Sequence, residues 1–143
     1  MIKNPVKRVA AIHDLSGFGR ASLTAIIPIL SSMGIQVCPL PTAVLSTHTG
    51  GFEGFTFVDL TDTMEAYINH WKKEQIEFDC IYSGFLGSPR QIDIISKFIL
   101  DFKSETNLVV VDGILYKTMA DEMVVKMREL IRGTDIRVIK DGT

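Results

Sequence analysis

Three polar stretches of the chain hold residue types that could do chemistry. Ser16-Gly17-Phe18-Gly19-Arg20-Ala21-Ser22 reads G-x-G-x-x-S, so the third glycine of a dinucleotide fingerprint is missing. The following extended run ends in Val37-Cys38-Pro39, with no acidic residue to hold a ribose. Two readings stay open: a glycine turn that brings a small ligand to backbone N–H groups at a helix start, or a tight turn that merely needs glycine. The second stretch, Ser46-Thr47-His48-Thr49-Gly50-Gly51, packs hydroxyls, an imidazole and glycines together. It could hydrogen-bond a polar aromatic ligand from several sides, or be a solvated loop. His48 has no Cys or carboxylate nearby at metal-ligand spacing. In the third stretch Asp112 closes the apolar run Asn107–Val111. A carboxylate there can hold a hydrated Mg²⁺ and orient a triphosphate, or cap the next helix. No G-x-x-x-x-G-K-[ST] segment occurs, which excludes P-loop nucleotide binding, and no G-x-S-x-G elbow is found. His13 and His70 read as structural or exposed residues.

The elements that must position these residues alternate along the chain. Val6–Ile12 is a β-rich run expected to stop at His13-Asp14, and Ala21–Met33 has helix length, with Gly34 as its C-terminal cap and Pro28 set to kink or shorten it. Ile35–Val37 restarts an extended run, and Pro39–Gly54, with two prolines and three glycines, reads as a loop. Phe55–Val58 is a brief strand candidate. Thr61 or Asp62 is expected to cap a helix over Met64–Glu74, with Ala66, Tyr67 and Trp71 near one face. Phe78–Tyr82 is the next strand, ending at Ser83-Gly84. Ser88 caps and Pro89 opens a helix running to about Phe102. Asn107–Val111 is a strand, Met119–Ile131 an amphipathic helix, and Ile136–Ile139 a last short strand. This alternation argues for an α/β fold: a mostly parallel sheet flanked by helices on both faces. Ligands of such sheets bind at the carboxyl ends of the strands, which here carry His13-Asp14, Ser83-Gly84 and Asp112.

Composition narrows the function classes. The 143 residues, 46% hydrophobic and 22% charged, suffice for one domain with its own core. Lys and Arg number 15 against 17 Asp and Glu, and the richest basic cluster is only Lys3, Lys7 and Arg8. That balance predicts no nucleic-acid partner and no attraction to an anionic membrane. Polar residues interrupt the first nine positions, so they cannot form the apolar core of a secretory signal, and no apolar run reaches the roughly 20 residues of a membrane span. Cys38 and Cys80 stand apart with no CxxC spacing. Two buried, reduced thiols are expected, with the cytoplasm as the default compartment.

Taken together, four segments in order resemble the vitamin B6 (pyridoxal/pyridoxamine) kinases of the ribokinase superfamily. Ala11-Ile12-His13-Asp14 through Gly19 is similar to a first-strand segment that usually reads A-I-Q-S-H before a glycine loop. Val44-Leu45-Ser46-Thr47-His48-Thr49-Gly50 resembles V-Q-F-S-N-H-T-G, the most diagnostic piece. Ser83-Gly84-Phe85-Leu86-Gly87-Ser88 resembles S-G-Y-L-G-S, and Val110-Val111-Asp112 sits where the family has the strand leading into D-P-V-M-G-D. The resemblance implies a cytoplasmic, ATP- and Mg²⁺-dependent kinase acting on the 5′-hydroxyl of pyridoxal, pyridoxamine or pyridoxine, commonly a homodimer. It implies that Asp14 stands where a family serine contacts the pyridine ring. Ala43 and Leu45 would line the ring pocket, Thr49 and Gly50 would meet the substrate's polar edge, and Phe85 would replace a tyrosine packed over the ring. Asp112 would match the aspartate near the ATP phosphates and metal.

Two departures qualify that expectation. Asp14 in place of serine could pair with a protonated ring nitrogen or with an amine, which also fits a hydroxymethylpyrimidine kinase of the same superfamily. After Asp112 the proline and G-D turn are replaced by Gly113-Ile114-Leu115-Tyr116-Lys117, and the chain closes on Lys140-Asp141-Gly142-Thr143 without the family's G-T-G-D turn. That turn carries the base and anion hole on which phosphoryl transfer depends. The expectation is therefore one ribokinase-like domain over residues 1–143, the substrate-binding part of a longer kinase, with no catalytic base present and the nucleotide-binding part absent. The alternative is an inactive ligand-binding fragment.

Overall fold

A computed structural model describes residues 5–116, 121–132 and 136–142. Among the described residues six strands form one sheet in the order β3-β2-β1-β4-β5-β6. Strands β1 (Arg8–Phe18), β2 (Gln36–Thr47), β4 (Cys80–Ser83), β5 (Leu108–Tyr116) and β6 (Ile136–Gly142) run parallel, and the short β3 (Phe57–Asp59) pairs antiparallel with β2. Helices α1 (Leu23–Ser32), α2 (Thr61–Lys73), α3 (Pro89–Phe102) and α4 (Asp121–Arg132) supply the crossovers that parallel neighbours require. The fold is the expected α/β arrangement, a mostly parallel sheet with helices on both faces.

Alternation along β1 divides the two faces. Ala10 and Ile12 join Ile81, Val109 and Val111 against the stripe Ile92, Ile95 and Ile99 of α3, with Met64 and Ile68 of α2 and Met127 and Leu130 of α4 completing that core. The 3–4-residue spacing of those isoleucines builds one apolar helix face, while Asp93 and Lys97 stay outside. Trp71, Phe78, Phe98 and Phe102 close the lower end, Phe98 and Phe102 stacked with ring centroids 4.5 Å apart. On the opposite face α1 packs over β1 and β2. Ser88 caps α3 as expected, its hydroxyl accepting from the Gln91 N–H at 3.2 Å with Pro89 in the first turn. Gly34 takes a positive φ of 79° just past α1 and donates to the Ser31 carbonyl. The helix runs through Pro28 yet covers only ten residues, shorter than the apolar stretch suggested.

Several expectations need correction. β1 continues beyond His13-Asp14 to Phe18 because β2 extends beside it through Leu15–Val44 and Phe18–Thr47, past an irregularity after His13. Residues Pro39–Thr47, expected as loop, belong to β2. The Gln36 N–H donates to Lys7 on the β1 side, so Pro39 and Pro41 turn their missing donors away from β1. On that outer side β3 pairs only with Ala43–Leu45, and the Pro39 carbonyl accepts from the Tyr67 hydroxyl at 2.6 Å. The first turn of α2 is held by Asp59, whose carboxylate accepts from the Thr61 N–H at 2.9 Å, not by a side chain of Thr61 or Asp62. Ala66 and Tyr67 are exposed, and Thr61, Met64 and Ile68 form the buried face. β5 does not end at Asp112 but pairs with β6 through Tyr116–Gly142, so Asp112 lies within a strand and caps no helix. Met119 lies outside the described residues. Cys38 and Cys80 form no disulfide and are half-buried rather than buried. No helix among the described residues is long and apolar enough to cross a membrane.

Candidate functional site

The carboxyl ends of β1 and β2, the residues before α1 and the connection from β4 to α3 enclose a cavity of about 550 Å³. That volume suits one small aromatic ligand. Asp14 reaches it from the extended part of β1, Ala43 and Leu45 from β2, Thr49 and Gly50 from the loop after β2, and Phe85 from the loop after β4. These are the six residues expected to meet a substrate, drawn from four segments up to 71 positions apart.

Asp14 is held in place by two hydroxyls. Ser22 donates to Oδ1 at 2.8 Å and Ser16 to Oδ2 at 3.4 Å. An ionised carboxylate only accepts, so what remains of its capacity calls for a ligand N–H or a cation. Ser22 sits at the N-cap of α1 with φ 51°, and Gly19 just before it has φ 119°. A Cβ on Gly19 would come within 2.1 Å of the His48 ring, so glycine here lets the β1 turn and the His48 loop touch. His48 is thereby seated at the cavity rim: its Nδ1 accepts from the Gly50 N–H at 3.2 Å, and Phe52 meets its ring edge-on at 5.1 Å. Of the two readings of the glycine turn, the structure therefore has a tight turn that itself borders a cavity.

Asp112 does not line this cavity. It follows the Ser83–Val111 pair of β4 and β5, half-buried, with one carboxylate oxygen buried and accepting no hydrogen bond. Its charge, after the larger effect of burial, pushes the Tyr82 hydroxyl above its ordinary pKa. His13, on the same face, is buried over Gly84, and Tyr82 meets its ring edge-on at 4.5 Å. A Cβ on Gly84 would lie 2.2 Å from the His13 Nδ1, so the position admits only glycine. Burial lowers the His13 pKa to about 4, against the opposing pull of Asp14 and the Tyr82 backbone. His70 is exposed and lies 3.7 Å from Glu74. No group of three ligating side chains gathers among the described residues.

Several cavity residues escaped the sequence reading. Thr42 was hidden in the stretch taken for a loop. Gln91 had a visible signal, the S-x-x-Q spacing from Ser88, which marks a capping box. Asp59 and Phe57 come from β3, whose placement beside β2 is a tertiary fact.

No family model matches the chain, and no curated protein proved similar to it. Solved structures are similar. A protein of Bacteroides thetaiotaomicron VPI-5482, named as a candidate phosphomethylpyrimidine kinase, is 56% identical over 97% of this chain and 50% of its own, with a TM-score of 0.91. Its orthorhombic form with pyridoxal is 57% identical over 92% of this chain and 48% of its own, TM-score 0.85. Pyridoxal kinase from Lactobacillus plantarum is 31% identical over 94% of this chain and 50% of its own, TM-score 0.85. Pyridoxal kinase from Leishmania donovani in complex with ADP and pyridoxamine, 14% identical with a TM-score of 0.86, shares the fold. The chain spans about half the length of each of these proteins. The strand order, the helices on both faces and a 56% identity across nearly the whole chain place it in the ribokinase-like family of kinases to which the pyridoxal kinases belong.

Proposed function

We propose that the chain is the substrate-binding part of a pyridoxal kinase, forming a single ribokinase-like domain whose cavity takes a B6 vitamer. The protein it represents transfers the γ-phosphoryl group of ATP to the vitamer's 5′-hydroxyl. The observation that carries this reading is that Asp14, Ala43, Leu45, Thr49, Gly50 and Phe85 all line one cavity. The Bacteroides relative's form with pyridoxal supports it. Ala43, Leu45 and Phe85 offer apolar surface to the ring. Thr49 and Gly50 offer polar groups to its substituents, and Asp14 accepts from a protonated ring nitrogen.

Asp112 suits the phosphate side, since an orphaned carboxylate oxygen fits a hydrated cation. Mg²⁺ bound with ATP would neutralise charge on the transferring phosphoryl group. Of this chain's described residues, Asp112 is the one that would hold such a metal, alongside phosphate oxygens and water. In this reading the protein works in the cytoplasm as a homodimer, an assembly that sedimentation velocity would test.

A second reading, a hydroxymethylpyrimidine kinase, draws support from the Bacteroides relative, whose name, a candidate phosphomethylpyrimidine kinase, points to a related substituted pyrimidine. Asp14 serves it equally, because an aminopyrimidine also presents N–H donors. A third, an inactive binding fragment, keeps the cavity without the transfer. Calorimetric titration of the 143-residue chain separates them. Pyridoxal is expected to bind, and Asp14→Asn to weaken it about ten-fold, the effect of losing a charge-assisted hydrogen bond. Tighter binding of hydroxymethylpyrimidine than of pyridoxal would replace the first reading with the second. Binding without ATP-dependent phosphorylation by a full-length protein carrying this sequence would leave the third.

A further inference from the structure

Gln91 is 5% exposed and lies on the first turn of α3, at the cavity wall. Its amide is bonded on every side. Nε2 donates to the Thr42 carbonyl of β2 at 3.2 Å and to the Thr61 hydroxyl at the start of α2 at 3.0 Å. Oε1 accepts from the Gly87 N–H at 2.8 Å. The Thr61 hydroxyl in turn donates to Asp59 of β3 at 2.5 Å. The polarity of this chain runs one way, from amide to hydroxyl to carboxylate. Reversing the amide would set its oxygen against the Thr42 carbonyl and its NH₂ against the Gly87 donor, so surroundings fix the orientation. In a capping box the glutamine would return to the backbone N–H of Ser88; here it reaches one residue further back, into the loop that carries Phe85.

We infer that Gln91 is the positioning residue of the cavity: one amide sets the separation between the β2 wall bearing Ala43 and Leu45 and the Gly84–Ser88 loop bearing Phe85, and so determines which planar rings enter. The inference rests on the cavity being the vitamer site. Both amide atoms of Gln91 are engaged by neighbouring groups, and no shorter or purely accepting side chain reproduces its two donations and one acceptance. Glutamate would face the Thr42 carbonyl with an oxygen, and methionine would leave the carbonyl, the hydroxyl and the Gly87 N–H without their partner.

The test is made on the 143-residue chain with Gln91→Glu and Gln91→Met, using Ile95→Val as a control on the same helix, buried outside the cavity. Hydrogen exchange of the Gly87 amide is compared with that of the Val109 amide in the β5 core. Global destabilisation raises both rates together, whereas loosening of the loop raises only the first. The Gly87-to-Val109 ratio is expected to rise about ten-fold in both Gln91 variants and to stay within two-fold in Ile95→Val. The dissociation constant for pyridoxal is expected to rise about ten-fold with it. An unchanged ratio in both Gln91 variants overturns the inference. If the wild-type chain fails to bind pyridoxal, the vitamer reading falls, and the exchange ratio still decides whether Gln91 holds the loop. Should both Gln91 variants fail to fold, Thr61→Val, which removes one acceptor from the amide, is expected to raise the ratio about three-fold, and no rise would overturn the inference.

Discussion

Asp14 and His13 are adjacent in sequence, yet β-strand alternation sends them to opposite faces of the sheet and to different tasks. Asp14 is turned into the cavity between two serine hydroxyls, while His13 is buried over Gly84 on the face of Tyr82 and Asp112. The buried imidazole makes stability depend on pH with a definite sign. In the unfolded chain His13 takes a proton near pH 6.5, but in the folded chain only near 4. Stability is therefore full above about 6.5, falls as the pH drops through this window, and levels off below 4, for a total loss of roughly 3 kcal/mol. Urea unfolding between pH 4 and 7 should show this slope, and His13→Gln should flatten it. Asp59 and Asp79, whose hydrogen bonds hold their pKa values below the ordinary range, begin to lose their contribution only below about pH 5, so the slope between about pH 5 and 7 is the one that reports His13. The identity of His13 and Asp14 as site-end residues was legible in the sequence. Their split between two faces followed from extending β1 to Phe18, which the sequence reading had stopped short.

At the scale of elements, punctuation was read best where local chemistry decides. Ser88-Pro89 opens α3, and Gly34 closes α1, because caps and positive φ are satisfied within a few residues. Ser88→Ala should cost about 1 kcal/mol in urea unfolding, since the Gln91 N–H loses its acceptor. β2 was misread for the opposite reason. Two prolines looked like loop signals, yet they are tolerated where only one side of the strand is paired, and nothing in the local sequence reveals which side has a neighbour. The same limit hid Thr42, whose carbonyl is one of the three groups that Gln91 ties together.

Across the whole molecule, α1 is unusual: LTAIIPILSS holds no charged residue, yet only Leu23 is buried. Ile29 is 58% exposed and Met33 just beyond the helix 67%. Such apolar surface promotes self-association, by a specific partner copy or without specificity. Replacing Ile29 and Met33 together by Glu is expected to raise solubility several-fold in ammonium sulfate precipitation. Pyridoxal binding should stay unchanged, as neither residue lines the cavity.

By itself the sequence determined the class of fold, the order of strands and helices, and the short motifs at Asp14, Val44–Gly50 and Ser83–Ser88. Each of these is written in periodicity, caps and residue identities that act over a few positions. Only the tertiary structure decided that β3 returns antiparallel onto β2, that Asp112 stands apart from the cavity, and that Gln91 joins β2, α2 and the Phe85 loop. Those facts depend on which strands become neighbours and which buried polar atoms must find partners, and such partners lie dozens of residues away in the chain.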